Sequence, residues 1–543
     1  MINKNEKLRN GFRIPFLNSE MNNFYRFLSL VIFIIGLLSG CTDYLKKDPT
    51  FIVKENYYNN ANDANAALVA VYDVLGREQT FTGEVLESLN TSDEGFYARS
   101  GNVSGVSVYN YDATSTEVTE FWQQMYIGIE RANILLNNID KVDMPEAEKE
   151  AIKGEAKFLR AFYYFNLVIY FGDVPLKTTA TPSVNSVDIA RTPQREVYNF
   201  ITREMEEAEG MVKTATQIGF GGRVSKSAVR GVLAKVYLKM AGAPLNDVSK
   251  YAEALKWAKK IVFPENGPTE HSLNPDYKQI FINLAADKYD IKESIWEAET
   301  YGNRFGDLEG GRVGNTIGLA CNDESVGFSY GYINTTAKLY NSYEANDVRR
   351  DWNIATYRYN HITVDGFQRV RDSTFLTNTQ IYERNCGKYR RLFEQVKPKN
   401  KNYTPINAPL LRYADVLLML AESENEVNGP TTIAINALKQ VRDRANASNV
   451  SALATSKEEL RKLIQNERFL ELAFEANRKF DLIRWGIFTS TMNQLGNSIQ
   501  TTAPTNFRYA SLAGRSVTVR DNLFPIPIRE TSLNRLITQN PGW

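Results

Sequence analysis

The sequence predicts a mostly α-helical protein whose helices are interrupted by one long, loop-rich insertion. Apolar residues recur at helical spacing through most of the first half and again near the end of the chain. Several Gly and Pro residues fall at the ends of those periodic runs. Between about Phe263 and Asn407 the helical period fades while Gly, Asn, Asp and Tyr accumulate. A chain of 543 residues, 43% hydrophobic and 23% charged, has the length and composition to bury a large core.

In order along the chain, residues 61–76, 117–139, 145–171, 193–212, 225–241 and 250–262 read as amphipathic helices. Pro145 and Pro193 stand at first turns, where the missing N–H costs nothing. Gly172, Gly210 and Gly242 fall at or just past helix ends, where a left-handed residue is wanted. Two helix pairs look alike. Ala234-Lys235-Val236-Tyr237-Leu238-Lys239-Met240-Ala241 precedes Ala254-Leu255-Lys256-Trp257-Ala258-Lys259-Lys260. Asp415-Val416-Leu417-Leu418-Met419-Leu420-Ala421-Glu422 precedes Ala437-Leu438-Lys439-Gln440-Val441-Arg442 in the same way. Small Ala at contact positions and a repeat of about 34 residues suggest tetratricopeptide-like hairpins, although a generic helical bundle explains each pair almost as well.

The insertion, 263–407, carries short alternating runs such as Tyr357-Arg358-Tyr359 and Ile362-Thr363-Val364. A stretch this long without helical period is usually functional loop structure on a rigid scaffold. Residues 455–485 return to helix, and Phe524-Pro525-Ile526-Pro527 must be extended.

The N-terminus differs from everything after it. Leu28 to Leu38 is an apolar run of eleven residues, too short to span a bilayer but suited to the core of a signal peptide. It ends in Leu38-Ser39-Gly40-Cys41, which resembles a bacterial lipobox, so Cys41 is expected to be the lipidated first residue of the mature chain. Met21 lies twenty residues before Cys41 and is an alternative start. Loss of residues 1–40 removes five basic and two acidic residues, leaving 59 against 61 and a net charge of −2. Such a surface has no general attraction for nucleic acid or anionic lipid, so membrane attachment would come from the lipid anchor. The expected organisation is a signal peptide at 1–40, a helical region at 41–262, the insertion at 263–407 as the ligand face, and a C-terminal helical region at 408–543.

Absences limit the chemistry. His271 and His361 are the only histidines, and neither has a partner at metal-ligand spacing. The sequence holds no HExxH, GxSxG or phosphate-cradling loop; Lys226 does not follow a Gly. No cofactor, metal or catalytic residue is expected. Carboxylates are plentiful, so a surface glycosidase, which needs two converging carboxylates, stays as the alternative from another class. Glu467, Glu471 and Glu475 lie at helical spacing among Arg468, Arg478 and Arg484, which reads as an ion-paired structural helix. Apart from Cys41, Cys321 and Cys386 are the only cysteines; they could form one disulfide or remain buried thiols.

Aromatics are the positive signal, with 28 Phe, 29 Tyr and 6 Trp. Phe96 and Tyr97, with Arg99 close behind, follow Ser92-Asp93-Glu94-Gly95, and Tyr109 lies just beyond Gly105. Within the insertion Trp296, Tyr301, Phe328, Tyr330 and Tyr332 recur near Asn, Asp and Arg. Flat rings beside fixed polar groups suit sugar faces, the ring covering C–H groups while polar side chains take hydroxyls. These nine residues are the candidate ligand-binding set.

The C-terminal third carries a family resemblance. Leu411-Arg412-Tyr413-Ala414-Asp415-Val416-Leu417-Leu418-Met419-Leu420-Ala421-Glu422 is followed by Val441-Arg442-Asp443-Arg444-Ala445. Next come Glu467-Arg468-Phe469-Leu470-Glu471-Leu472-Ala473-Phe474-Glu475 and Arg478-Lys479-Phe480-Asp481-Leu482-Ile483-Arg484-Trp485, then the Pro-rich segment and Gln539-Asn540-Pro541-Gly542-Trp543. Upstream, Leu159-Arg160-Ala161-Phe162-Tyr163-Tyr164, Gly222-Arg223-Val224-Ser225-Lys226 and Asp347-Val348-Arg349-Arg350 add to it. Together with the lipobox, these segments resemble the SusD/RagB family across nearly the whole mature chain. Ala476 departs from the pattern, standing where that family usually has Gly. The resemblance implies a SusD-like fold of tetratricopeptide-like units and an outward-facing lipoprotein on the outer membrane. Such a protein would capture a glycan, or in the RagB branch peptides, and pass it to a SusC-like TonB-dependent transporter. The family keeps its ligand residues in variable loops, so the resemblance assigns none of the nine candidates.

Overall fold

The computed structural model describes residues 58–83, 88–183, 188–302 and 311–543. Cys41, the apolar run at 28–38 and the start of the helical region lie outside the described residues.

Helices dominate. We label the principal ones α1 (Ala61–Tyr72), α2 (Thr116–Asn138), α3 (Glu146–Phe171), α4 (Gln194–Met211), α5 (Lys226–Ala241), α6 (Lys250–Val262), α7 (Tyr413–Asn428), α8 (Thr432–Arg444), α9 (Lys457–Glu471) and α10 (Arg478–Arg484). Each predicted helix of the first half is present. Pro145 and Pro193 sit one position earlier than expected, as N-cap residues. α2 shows how the pattern works: Ser115 accepts a hydrogen bond from the Val118 N–H, and Val118, Phe121, Trp122, Met125, Ile129, Ala132 and Leu135 form its buried face. From Phe158 to Phe171 every residue of α3 is buried, so this segment is the central rod on which α1, α2 and α4 pack. The two similar hairpins are α5–α6 and α7–α8, and α7 also packs on α6 and α9.

Gly172 has the positive φ of 73° expected of a helix-terminating residue. Gly242 differs: its backbone is extended, and Gly is required because a Cβ would lie 2.3 Å from the Arg484 carbonyl oxygen. The return to helix at 455–485 is also not continuous. α9 stops at Glu471, and Phe474 and Ala476 take φ values of 62° and 60° before α10 begins.

The insertion is less irregular than its composition suggests. Short strands β1 (Gly95–Tyr97), β2 (Ser294–Ala298), β3 (Ile333–Thr335), β4 (Tyr357–Val364), β5 (Phe367–Phe375) and β6 (Ala408–Arg412) pair antiparallel as β1–β3, β2–β6 and β4–β5. The alternating runs at 357–364 form β4 of an exposed hairpin.

A buried ionic network ties the C-terminal helices to the insertion. Arg412, 1% exposed, donates to Glu293 (2.9 Å), Glu471 (3.0 Å) and Glu475 (2.7 Å). Arg349, fully buried, meets Asp347 (2.7 Å), Glu467 (2.5 Å) and Glu471 (3.0 Å). Arg442 and Arg444 reach Glu467 and Glu471, and Lys388 reaches Glu475. Burial would raise the Glu471 carboxyl, but Arg444, Arg412 and Arg349 overcome it and hold the group down at about 2. The stripe Glu467, Glu471 and Glu475 is therefore ion-paired as expected, but with other partners. Arg468 serves Asp415 and Asp481, Arg478 serves Asp93, and Arg484 serves Glu422 and Asp481.

Candidate functional site

The β1–β3 ladder builds the site. Phe96 faces Asn334 and Tyr97 faces Ile333, and the Ala98 N–H continues the pairing to the Tyr332 carbonyl at 2.7 Å. That register sets Tyr97 beside Tyr332, with ring centroids 5.2 Å apart and planes 29° from parallel. The strand leading into β3 is held from behind, since the Tyr330 and Tyr332 N–H groups donate to the carbonyls of Asn315 and Thr316, each at 2.7 Å. Tyr330 stacks on Tyr332 at 5.0 Å and 11°, and Phe328 meets Tyr330 edge-on at 4.9 Å. Four rings, from Tyr97 through Tyr332 and Tyr330 to Phe328, thus form one half-buried row.

Cations stand over both halves of the row. The exposed Arg99 guanidinium lies 4.8 Å from the Tyr332 ring centroid and donates to the Tyr330 carbonyl at 2.6 Å. Lys401 lies 5.0 Å over Phe328 and pairs with Glu324 at 3.4 Å. A guanidinium over a ring can offer its remaining N–H groups to hydroxyl or carboxylate oxygens. Beside Arg99 lies a second aromatic group from the C-terminal region. Phe507 stacks on Tyr382 at 6.0 Å and 24°, and Tyr509 lies 6.3 Å from Phe507. Burial raises the Tyr509 phenol, with the nearby Arg99 charge acting the other way.

Of the nine candidates, five meet here: Tyr97, Arg99, Phe328, Tyr330 and Tyr332. Phe96 is 2% exposed and packs from β1 against Tyr382 and Tyr509 of the second aromatic group. Tyr109 belongs to the core instead, with its hydroxyl donating to the Thr91 carbonyl at 2.8 Å and its ring against Phe488. Trp296 is also core: fully buried on β2, it packs edge-on against Phe162 (4.7 Å) and Phe158 (5.1 Å) of α3. Tyr301 is exposed but is not one of the stacked rings. Tyr382, Phe507, Tyr509 and Lys401 were not anticipated. The signal for two of them was present in Thr505-Asn506-Phe507-Arg508-Tyr509, which sets aromatics among polar residues as the insertion does.

Both histidines make hydrogen bonds to the backbone, and both described cysteines are buried. His271 is buried with Nδ1 on the Ile291 carbonyl, and His361 Nε2 accepts from the Asn322 N–H at 3.0 Å. Cys321 and Cys386 are separate buried thiols, pushed up by burial to about 11 and about 12. Among the described residues no group of His, Cys, Asp and Glu could hold a metal ion, and no helix is long and apolar enough to cross a membrane.

Comparison with known proteins identifies the scaffold that displays this row. A model described as the SusD family matches residues 287–543, and one described as starch-binding and associating with the outer membrane matches 43–238. The chain belongs to the SusD family. A SusD-like protein of Formosa agariphila is 26% identical over 94% of this chain and 99% of its own length. The starch-binding protein SusD of Bacteroides thetaiotaomicron is 24% identical, over 79% of each chain. The crystal structure of a SusD homologue from Bacteroides thetaiotaomicron superposes with a TM-score of 0.79 at 28% identity, covering 90% of this chain and 98% of that one. In this SusD-family chain the matched segments contain both strands of the β3 and β6 pairings and the whole ionic network, while the aromatic row is drawn from both matched stretches.

Proposed function

We propose that this protein is a non-catalytic, cell-surface lipoprotein that captures an oligo- or polysaccharide on the Tyr97–Tyr332–Tyr330–Phe328 row and delivers it to a SusC-like TonB-dependent transporter. The observation that carries the reading is the row itself. Three tyrosines are stacked face on face, brought together by a strand pairing, with Arg99 over the central ring. The half-buried row offers its outward ring surface to the apolar C–H groups of a sugar chain, and Arg99 and the phenol hydroxyls supply the polar contacts. The starch-binding name of one relative and the outer-membrane description of one family model support the ligand class and the location. Cys41 within its lipobox supports the anchor. The carboxylates of the motif helices are buried in ion pairs, which supports binding without hydrolysis.

Titration calorimetry of residues 42–543 against soluble α- and β-glucans, other polysaccharides and peptides tests this. Saturable binding of a glycan, lost in Tyr332→Ala without turnover of the glycan, is the expected result. Binding of peptides alone would transfer the row to the peptide-capturing role, and release of sugars would end the non-catalytic reading.

A further inference from the structure

Away from the aromatic row, a cleft of about 700 Å³ opens between α3, α4, α5 and the segment after α10. Its surface is mostly apolar, with Val168, Ile169, Ile483 and Leu523 among the lining residues, and neutral polar side chains such as Gln194 and Asn493 also line it. Two cations line it, Lys239 and Arg520, and no Asp or Glu does. Lys239 is 5% exposed, yet among the described residues its ammonium forms no ion pair, and it donates to the Phe480 carbonyl at 3.3 Å. Burial, with the like charges of Arg484 and Lys479, lowers this ammonium to about 7, and the carboxylate acting against that, Asp481, is already held by Arg468 and Arg484. Among the described residues Arg520 likewise makes no ion pair and its buried Nε has no hydrogen-bond partner, while its guanidinium lies 4.2 Å over the Trp543 ring. Buried Lys and Arg side chains are ordinarily paired, because an uncompensated charge in an apolar setting is costly. This volume falls within the usual range for small-molecule sites.

We infer that this cleft is a second binding site, for an amphiphilic monoanion such as a medium-chain carboxylate, with its apolar chain along the walls and its headgroup on Lys239 and Arg520. The inference does not depend on the glycan reading, because none of the rings of the aromatic row lines the cleft.

The test is calorimetric titration of residues 42–543 with decanoate and, in parallel, with decanol. Decanoate is expected to bind at least about tenfold more tightly than decanol, as a charge-assisted headgroup contact requires. Lys239→Met, which keeps the chain length and removes the charge, should bring decanoate to the level of decanol. Arg520→Gln, at a half-buried position, should weaken decanoate by a smaller factor and provides the check if Lys239→Met does not fold. Equal affinity for the two probes, no binding of either, or unchanged decanoate affinity in both variants would overturn the proposal.

Discussion

The ring of Tyr332 lies 5.0 Å from that of Tyr330 and 11° from parallel, although the two side chains are separated by only one residue, Gly331, whose φ is 58°. A residue with a Cβ would be strained at that φ and would also press on Ala320 at 2.7 Å. Gly331→Ala should therefore disturb the stacking without touching any ring. We expect glycan affinity to fall by about tenfold, comparable to losing one stacked aromatic contact, with a smaller change in thermal stability. Calorimetry and thermal denaturation of the same sample measure both.

Trp296 and Tyr332 should respond in opposite ways. Trp296→Ala empties a site enclosed by Phe158 and Phe162 and should cost about 3–5 kcal/mol of stability. Tyr332→Ala, at a half-buried position, should cost far less stability and abolish most glycan binding. Urea unfolding beside a binding titration for the two variants separates a core residue from a ligand residue.

Arg412→Met should be among the most damaging single changes. It leaves Glu293, Glu471 and Glu475 with reduced compensation inside the protein, and removal of one member of such a buried set costs about 3–5 kcal/mol. Pairing Arg412→Met with Glu475→Gln should recover part of the loss, which a double-mutant cycle in urea would show.

Glu297 gives a pH dependence with a definite sign. Burial first, then the Glu299 and Asp287 charges, raises its carboxyl to about 7, while Asn407 donates to it at 2.9 Å. The folded protein thus retains a proton that the unfolded chain releases near pH 4.3, so this contribution is present below that pH and is lost as pH rises through 7. Glu297→Gln keeps an acceptor for Asn407 and removes the titration. The variant should be more stable than wild type by about 3 kcal/mol at pH 8, with the difference shrinking toward zero near pH 4, as read by chemical denaturation at each pH.

Ala476 occupies a left-handed conformation, φ 60°, at the position where the sequence departs from the family pattern. Ala476→Gly should relieve that strain and stabilise the protein by about 0.5–1 kcal/mol, the left-handed penalty less the added freedom of the unfolded chain. Thermal denaturation is sufficient to detect it.

The helices were legible because their apolar spacing and caps are local, as in α2 and its Ser115 cap. The aromatic row was legible only in part. Tyr97 and the 328–332 segment lie far apart in sequence, and only the β1–β3 register joins them. Trp296 misled for a physical reason: its place in the polar insertion suggested a ligand-facing ring, but its neighbours Glu293 and Glu297 are both buried, one within the ionic network and the other with its carboxyl raised toward neutrality. Polar neighbours indicate surface only where their charges have no other compensation. Gly242 misled in a similar way, since close approach of Arg484 rather than a left-handed turn explains it.

The same network bears on how such a chain can change over generations. Arg349, Arg412, Arg442 and Arg444 share Glu467 and Glu471 among them, so replacing any one residue leaves several others mismatched. A viable route through sequence space would need two or three substitutions at once. No such restraint applies to the rings of the row, each of which can be exchanged singly at little cost to folding. Drift in one part and arrest in the other would give descendants that are recognisable by their skeleton while differing in what they hold.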